Sequence, residues 1–300
     1  MTKKNLKISF ISLALVVCLV TAIFAGCSNN SSQEDTGADS TAAAISGNIT
    51  VLSREDGSGT RDAFTELMGV VDENGNDATV ETAEITNSTS VMMSTVSGNT
   101  KAIGYVSLGS LSDEVKAVSV DGVVASTDTV KDGTYKLQRP FKVAYIESSI
   151  SDVAQDFLNF IVSQEGEAII AEEGYIGVDA TESYTASNLS GTVTLAGSTS
   201  VAPVMNVLAD RYKELNPNVK VEIQESGSSA GIESAVQGAV DIAMSSRELE
   251  EDELATLTDM TIALDGIAVI VNKDNSFDDM TSQQIKSIFT GEITAWEDVK

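Results

Sequence analysis

Four times in this chain a run with strand composition gives way to a short turn of serine, threonine and glycine, and the turn opens a helix. The turns occupy residues 53–60, 197–201, 226–231 and 245–247. Repeated strand–turn–helix units call for a sheet with helices packed on it, an α/β fold. They also bear on function, because ligands of open α/β sheets sit outside the carboxyl ends of the strands.

The richest turn is Ser53-Arg54-Glu55-Asp56-Gly57-Ser58-Gly59-Thr60-Arg61. Its glycines let the backbone turn tightly and aim N–H groups inward. Ser58 and Thr60 add hydroxyls, and the helix expected over 62–68 directs its N-terminus at the same spot. Arg54 can fork two N–H bonds onto a tetrahedral oxyanion. Alone, the segment reads equally well as a helix cap or as half of an anion cradle. Four such turns in one chain favour the cradle.

The remaining pattern fits the same architecture. Strands are expected at 48–52, 102–107, 139–145, 192–196, 219–224, 241–244 and 262–271, the last broken at Asp265-Gly266, and a hairpin at 115–124 with its turn at Asp121-Gly122. Helices are expected at 89–96, 152–173 (ending at Gly174 as a C-cap), 203–215, 232–238 and 282–289.

Composition sets the compartment. Lys3, Lys4 and Lys7, the apolar run from Ile8 to Phe24, and Ala25-Gly26-Cys27 form a secretory leader at 1–27 ending in a lipobox-like cysteine. The polar, small residues 28–45 are those of a flexible tether. With Cys18 inside the leader, only Cys27 remains, so no internal disulfide is expected. The net charge of −27 excludes nucleic acid as a partner. It does not exclude an anion ligand, since a dry cleft answers to nearby donors and distant charges are screened.

The chain has no histidine. Gly227-Ser228-Ser229-Ala230-Gly231 matches the G-x-S-x-G elbow of hydrolases, but a Ser–His–acid triad is impossible, and no lysine lies close in sequence to serve as base. No enzyme activity is therefore expected. Asp72–Asp77 lacks the spacing of a calcium loop, and neither metal nor cofactor is expected.

Together, the 53–60 segment, Ala102-Ile103-Gly104-Tyr105-Val106, Gly197-Ser198-Thr199-Ser200-Val201-Ala202-Pro203, Asp265-Gly266-Ile267-Ala268-Val269 and Phe289-Thr290-Gly291-Glu292-Ile293-Thr294-Ala295-Trp296 resemble the phosphate-binding lipoproteins of ABC-type phosphate importers. The resemblance spans nearly all of 46–300. It implies a two-lobed, type II-like periplasmic-binding-protein fold, each lobe a mixed sheet flanked by helices, joined by two hinge strands. In the usual family order the Gly-Ser-Thr-Ser segment comes first and the Trp296 segment runs into the Arg54 segment. The order here is that of a circular permutation. Lobe one would then be 46–138 plus 272–300 and lobe two 139–271, with crossings near Arg139–Lys142 and Val271–Lys273.

The resemblance further implies that Arg54, Ser58, Gly59 and Thr60 bind phosphate, with Asp56 orienting Arg54. From the other lobe it implies the Ser200 hydroxyl, the Val201 amide and Ser228. Many relatives carry an aspartate in the turn after the Asp241 strand, accepting the proton of HPO₄²⁻. Here Ser246 and Arg247 stand there as candidate ligands, so rejection of sulfate is not implied. Expected partners are inorganic phosphate, the permease subunits in the membrane and the lipid on Cys27. The protein is expected to be a monomer. A receptor for sulfate or molybdate, and a phosphate sensor that transports nothing, are the alternatives.

Overall fold

The computed structural model describes residues 45–180 and 182–300. The expected leader, Cys27 and nearly all of the tether lie outside the described residues. In chain order the elements are β1 (Thr50–Arg54), α1 (Gly59–Met68), β2 (Glu84–Thr86), α2 (Thr89–Gly98), β3 (Ala102–Ser107), β4 (Lys116–Ala117), β5 (Ser119–Val120), α3 (Thr127–Lys131), β6 (Gln138–Tyr145), α4 (Asp152–Ile161) and α5 (Gln164–Glu172). They continue with β7 (Gly191–Gly197), α6 (Ala202–Leu215), β8 (Val219–Glu225), α7 (Ser228–Val236), β9 (Ile242–Ser245), α8 (Glu251–Leu254), β10 (Thr258–Val271), β11 (Asp279–Met280) and α9 (Ser282–Phe289).

The main sheet has the strand order β2-β1-β3-β10-β6-β9-β7-β8. Each end is a parallel triplet, β2-β1-β3 on one side and β9-β7-β8 on the other. Parallel strands are covered on both faces, so they read as apolar runs; β3 is buried at every position. The antiparallel strands β6 and β10 link the triplets.

The long strand β10 changes partner along its length. Thr258–Gly266 pairs with β6, while Ile267–Val271 pairs with β3. The core divides at the same place. Ile267, Val269 and Val271 pack with Phe64, Tyr105, Phe289 and Trp296 in a first group, while Ile262 and Ala263 pack with Phe141, Phe157, Phe160 and Tyr212 in a second. Ala268 and Ile270, between those residues on β10, pack with Leu52, Met92 and Val106 in a further group.

Three expectations change. The 152–173 stretch is two helices, because Ser163 Oγ accepts from Gly166 N at 3.2 Å and caps a new start. A Cβ at Gly166 would collide with the carbonyls of Phe160 and Ile161, which is how closely the two helices abut. The 115–124 hairpin does not form. β4 joins β10 and β5 joins β11, leaving a tight turn at 120–123 with Asp121 at φ 52. Finally, β10 runs unbroken through Asp265-Gly266.

The beginning and end of the described chain lie side by side. Ile49 N donates to Thr294 O at 2.9 Å, Trp296 N donates to Gly47 O at 3.0 Å, and Asn48 bridges Ala295. Trp296 is buried there, its indole N–H donating to Lys101 O at 3.0 Å.

Candidate oxyanion site

All four turns predicted from sequence lie at carboxyl ends of strands, after β1, β7, β8 and β9. A fifth follows β2, where Ser88 Oγ caps α2 by accepting from Val91 N at 3.2 Å. The turns bring together a buried cluster of hydroxyls: Ser58, Thr60, Thr89, Ser198, Thr199, Ser200, Ser228 and Ser246 are each at most 6% exposed. Three helices aim their N-termini into it. In α1 the first intrahelical bond runs from Asp62 N to Ser58 O, so the N–H groups of Gly59, Thr60 and Arg61 have no intrahelical acceptor. α6 starts next to Ser200 and α7 at Ser228, where the N–H groups of Val201 and Ala202 are taken by Ser198 O and that of Ser229 by Gly57 O.

The cluster is closed across the two packing groups. Thr60 Oγ1 and Ser200 Oγ share a hydrogen bond of 2.9 Å, and Thr89 Oγ1 reaches Ser200 Oγ at 3.2 Å and Thr199 Oγ1 at 3.3 Å. Within the second group, Ser198 Oγ donates to Ser246 Oγ at 2.9 Å and Ser246 N donates to Ser228 Oγ at 3.2 Å. Ser229 N donates to Gly57 O at 3.1 Å, a contact made possible by the left-handed turn at Gly57, φ +79. A Cβ at Gly59 would lie 2.5 Å from Ser228 Oγ and 2.9 Å from Ser246 Oγ. Hydroxyls suit such a site because each can donate and accept. Apart from Ser58 they bond to one another here, and a hydroxyl can turn to donate to an oxyanion.

Arg54 supplies the charge. Its side chain is 2% exposed, and Glu55 grips it with two bonds, from Nε at 2.8 Å and from Nη2 at 2.7 Å. Nη2 also donates to Thr199 Oγ1 at 3.0 Å. Its Nη1 arm makes no hydrogen bond to another described residue. The Arg54 backbone is fixed from beneath, its N–H donating to Tyr105 Oη at 3.2 Å. That phenol, stacked on Phe64 at 4.0 Å and bonded to Ser53 Oγ, is pushed up to about 12 by burial and stays neutral.

Three expected roles are corrected. Asp56 does not orient Arg54: its side chain is 99% exposed and pairs with Arg61 at 2.7 Å, while the neighbouring Glu55 holds Arg54. Arg247 does not face the hydroxyls. Its Nη1 donates to Glu248 O and Glu253, its Nη2 to Glu253 and Ser229 Oγ, and its Nε sits 3.2 Å from the Asp62 carboxylate. Both Nη arms are committed, and the ion pair to Asp62 lets Arg247 tie α8 to α1 across the groups. The Val201 N–H is likewise spent on Ser198 O within its own turn at 3.2 Å.

Sequence reasoning passed over Thr89, Ser198, Thr199 and Glu55. Ser198 and Thr199 stood inside a recognised motif, and Asn87-Ser88 before α2 is a fifth turn of the same kind. Nothing local distinguished Glu55 from Asp56. Among the described residues no group of three or more Cys, Asp or Glu is placed to hold a metal ion.

A model described as the PBP superfamily domain matches residues 7–165 and 182–300. The chain belongs to this superfamily. Within the PBP superfamily it is similar to the phosphate-binding protein PstS 2 of Streptococcus agalactiae, at 43% identity over 302 residues covering 99% of each chain. PstS 2 of Streptococcus pneumoniae is 47% identical over 85% of this chain and 89% of its own. The crystal structure of a phosphate-binding protein of a phosphate ABC transporter from S. pneumoniae superposes with a TM-score of 0.69, at 46% identity, over 85% of this chain and all of the other. The S. agalactiae alignment runs end to end, so that relative shares the present order of segments. The PstS of Staphylococcus haemolyticus aligns over only 37% of this chain, at 33% identity.

Proposed function

We propose that this chain is an extracytoplasmic solute-binding lipoprotein, anchored through a lipidated Cys27, that captures inorganic phosphate and delivers it to an ABC importer in the membrane. The observation that carries the reading is the convergence of Arg54 with hydroxyls from both packing groups at the carboxyl ends of their strands. The relatives named as phosphate-binding proteins support it, as do the leader-like first 27 residues. Arg54, Ser58, Gly59, Thr60, Thr199, Ser200, Ser228 and Ser246 form the cradle. Binding is hinge closure of two lobes about β6 and β10, the ligand stabilising the closed form by exchanging hydroxyl–hydroxyl bonds for hydroxyl–oxyanion bonds. Nothing in the cradle supplies a base for covalent chemistry, and the protein acts by binding alone.

Calorimetry on residues 28–300 with phosphate, arsenate and sulfate tests this. Saturable phosphate uptake at one site per chain is expected; uptake of sulfate alone would replace phosphate with another oxyanion. Gly59→Ala is expected to weaken phosphate binding by roughly tenfold, an overpacking cost of about 1–3 kcal/mol placed at the closing surface. Its melting temperature should stay near that of the unsubstituted protein, since the added methyl meets Ser228 and Ser246 only across the closed cleft.

A further inference from the structure

The two linking strands carry a buried charge pair that does not face the hydroxyl cluster. Arg139 on β6 stands opposite Asp265 on β10 in the antiparallel register. Its Nε and Nη2 donate to Asp265 Oδ2 at 3.3 and 3.1 Å, with the side chains 2% and 1% exposed. Burial pushes the guanidinium down and the carboxyl up from their ordinary values, and each partner opposes that for the other. A buried ion pair is weak as a source of stability, because the desolvation cost rivals the attraction. Its remaining bonds give it a different use.

Asp265 Oδ1 accepts from Ser107 Oγ at 2.9 Å and from Gly109 N at 3.4 Å, both at the carboxyl end of β3 in the first group. Arg139 Nη1 donates to Ser246 O at 3.2 Å, in the second group. Ser246 is the residue whose N–H and hydroxyl meet Ser228 and Ser198 in the cradle. One planar fork thus runs from β3, through the strand crossing, to the turn that lines the ligand.

We infer that Arg139, held by Asp265, is a positioning residue: by fixing the Ser246 carbonyl it keeps the Ser246 hydroxyl aimed into the cradle and ties that aim to the strand crossing. The inference rests on the phosphate reading. Lysine keeps the charge but lacks the rigid fork whose arms reach Asp265 and Ser246 together.

The test is calorimetry with inorganic phosphate on the full chain in detergent, comparing Arg139→Lys with and without Ser246→Ala. Arg139→Lys is expected to lose tenfold or more in affinity, and that loss to shrink below threefold once Ser246 is alanine. A loss under tenfold, or one of equal size in both backgrounds, overturns the inference; a purely structural role for Arg139 would give equal losses. If Arg139→Lys does not fold, the neutral pair Arg139→Gln with Asp265→Asn, which buries no charge, takes its place with the same two readings. The isotherm of the unsubstituted chain judges the phosphate reading separately.

Discussion

Arg54→Ala is expected to lower phosphate affinity by about two to three orders of magnitude, roughly 3–4 kcal/mol, while the protein still folds. The size follows from what the truncation leaves behind. Arg54 is the cation of the cradle, nine-tenths and more buried, and removing it takes a charge-assisted partner from a dianion already stripped of water. It also strands Glu55, whose carboxylate is bonded twice to Arg54, and turns it into an unpaired negative charge at the rim. Arg54→Lys should recover only part of the loss, because an ammonium cannot keep the bidentate grip of Glu55 and also reach Thr199. A double substitution with Glu55→Gln separates the two contributions: it should regain affinity over Arg54→Ala, since the repelling carboxylate is gone. Calorimetry across the four proteins reads all of this. Unchanged affinity in Arg54→Ala would remove Arg54 from the site.

The α/β architecture and the cradle's main turns were legible because their signals are local. Alternation of apolar strands with Ser/Gly turns marks the carboxyl ends of strands whatever the strands' neighbours are, and the helix at Ser282–Phe289 falls where its apolar spacing places it. What was not legible is the choice of partner. Glu55 and Asp56 are adjacent acids of equal promise, and only the backbone turn leading to Gly57 decides that one folds back on Arg54 while the other faces water. Arg247 looked like a ligand beside a turn of the right kind, yet Glu253 on α8 and Asp62 on α1 capture it, and neither is predictable from the turn. The break at Ser163 went unseen for a related reason: apolar periodicity runs through it, and the evidence for a new helix is one hydroxyl accepting one N–H. Local rules thus place elements, while tertiary contacts assign the bonds of charged side chains.

Trp296→Ala is expected to cost about 3–5 kcal/mol of folding stability, the range for emptying a large aromatic site in a core, with up to ~1 kcal/mol more for the hydrogen bond it loses. Trp296 is the chain's only tryptophan and is 1% exposed. It packs against the Phe277 ring at a centroid distance of 5.3 Å, and its indole satisfies Lys101 O at the start of β3. Its backbone pairs with Gly47 beside the start of β1, so one side chain pins together the segment before β1, the segment after α9 and the edge of β3. Truncation loosens all three at once. Trp296→Phe should recover most of the packing but leave the Lys101 carbonyl unpaired, a smaller loss of about 1–3 kcal/mol. These contacts lie at the amino ends of β1 and β3, whereas Arg54 and the cradle lie at the carboxyl ends. Phosphate affinity of the folded Trp296→Ala protein should therefore stay within about twofold, well under the 1.4 kcal/mol of a tenfold change. Urea unfolding followed by circular dichroism measures the first effect and calorimetry in the absence of urea the second. A stability loss under about 1 kcal/mol, below the usual range for a core truncation, would mean that the joined ends do not hold the first packing group together. Weakened phosphate binding in the folded variant would mean that strain passes along β1 from one end to the other.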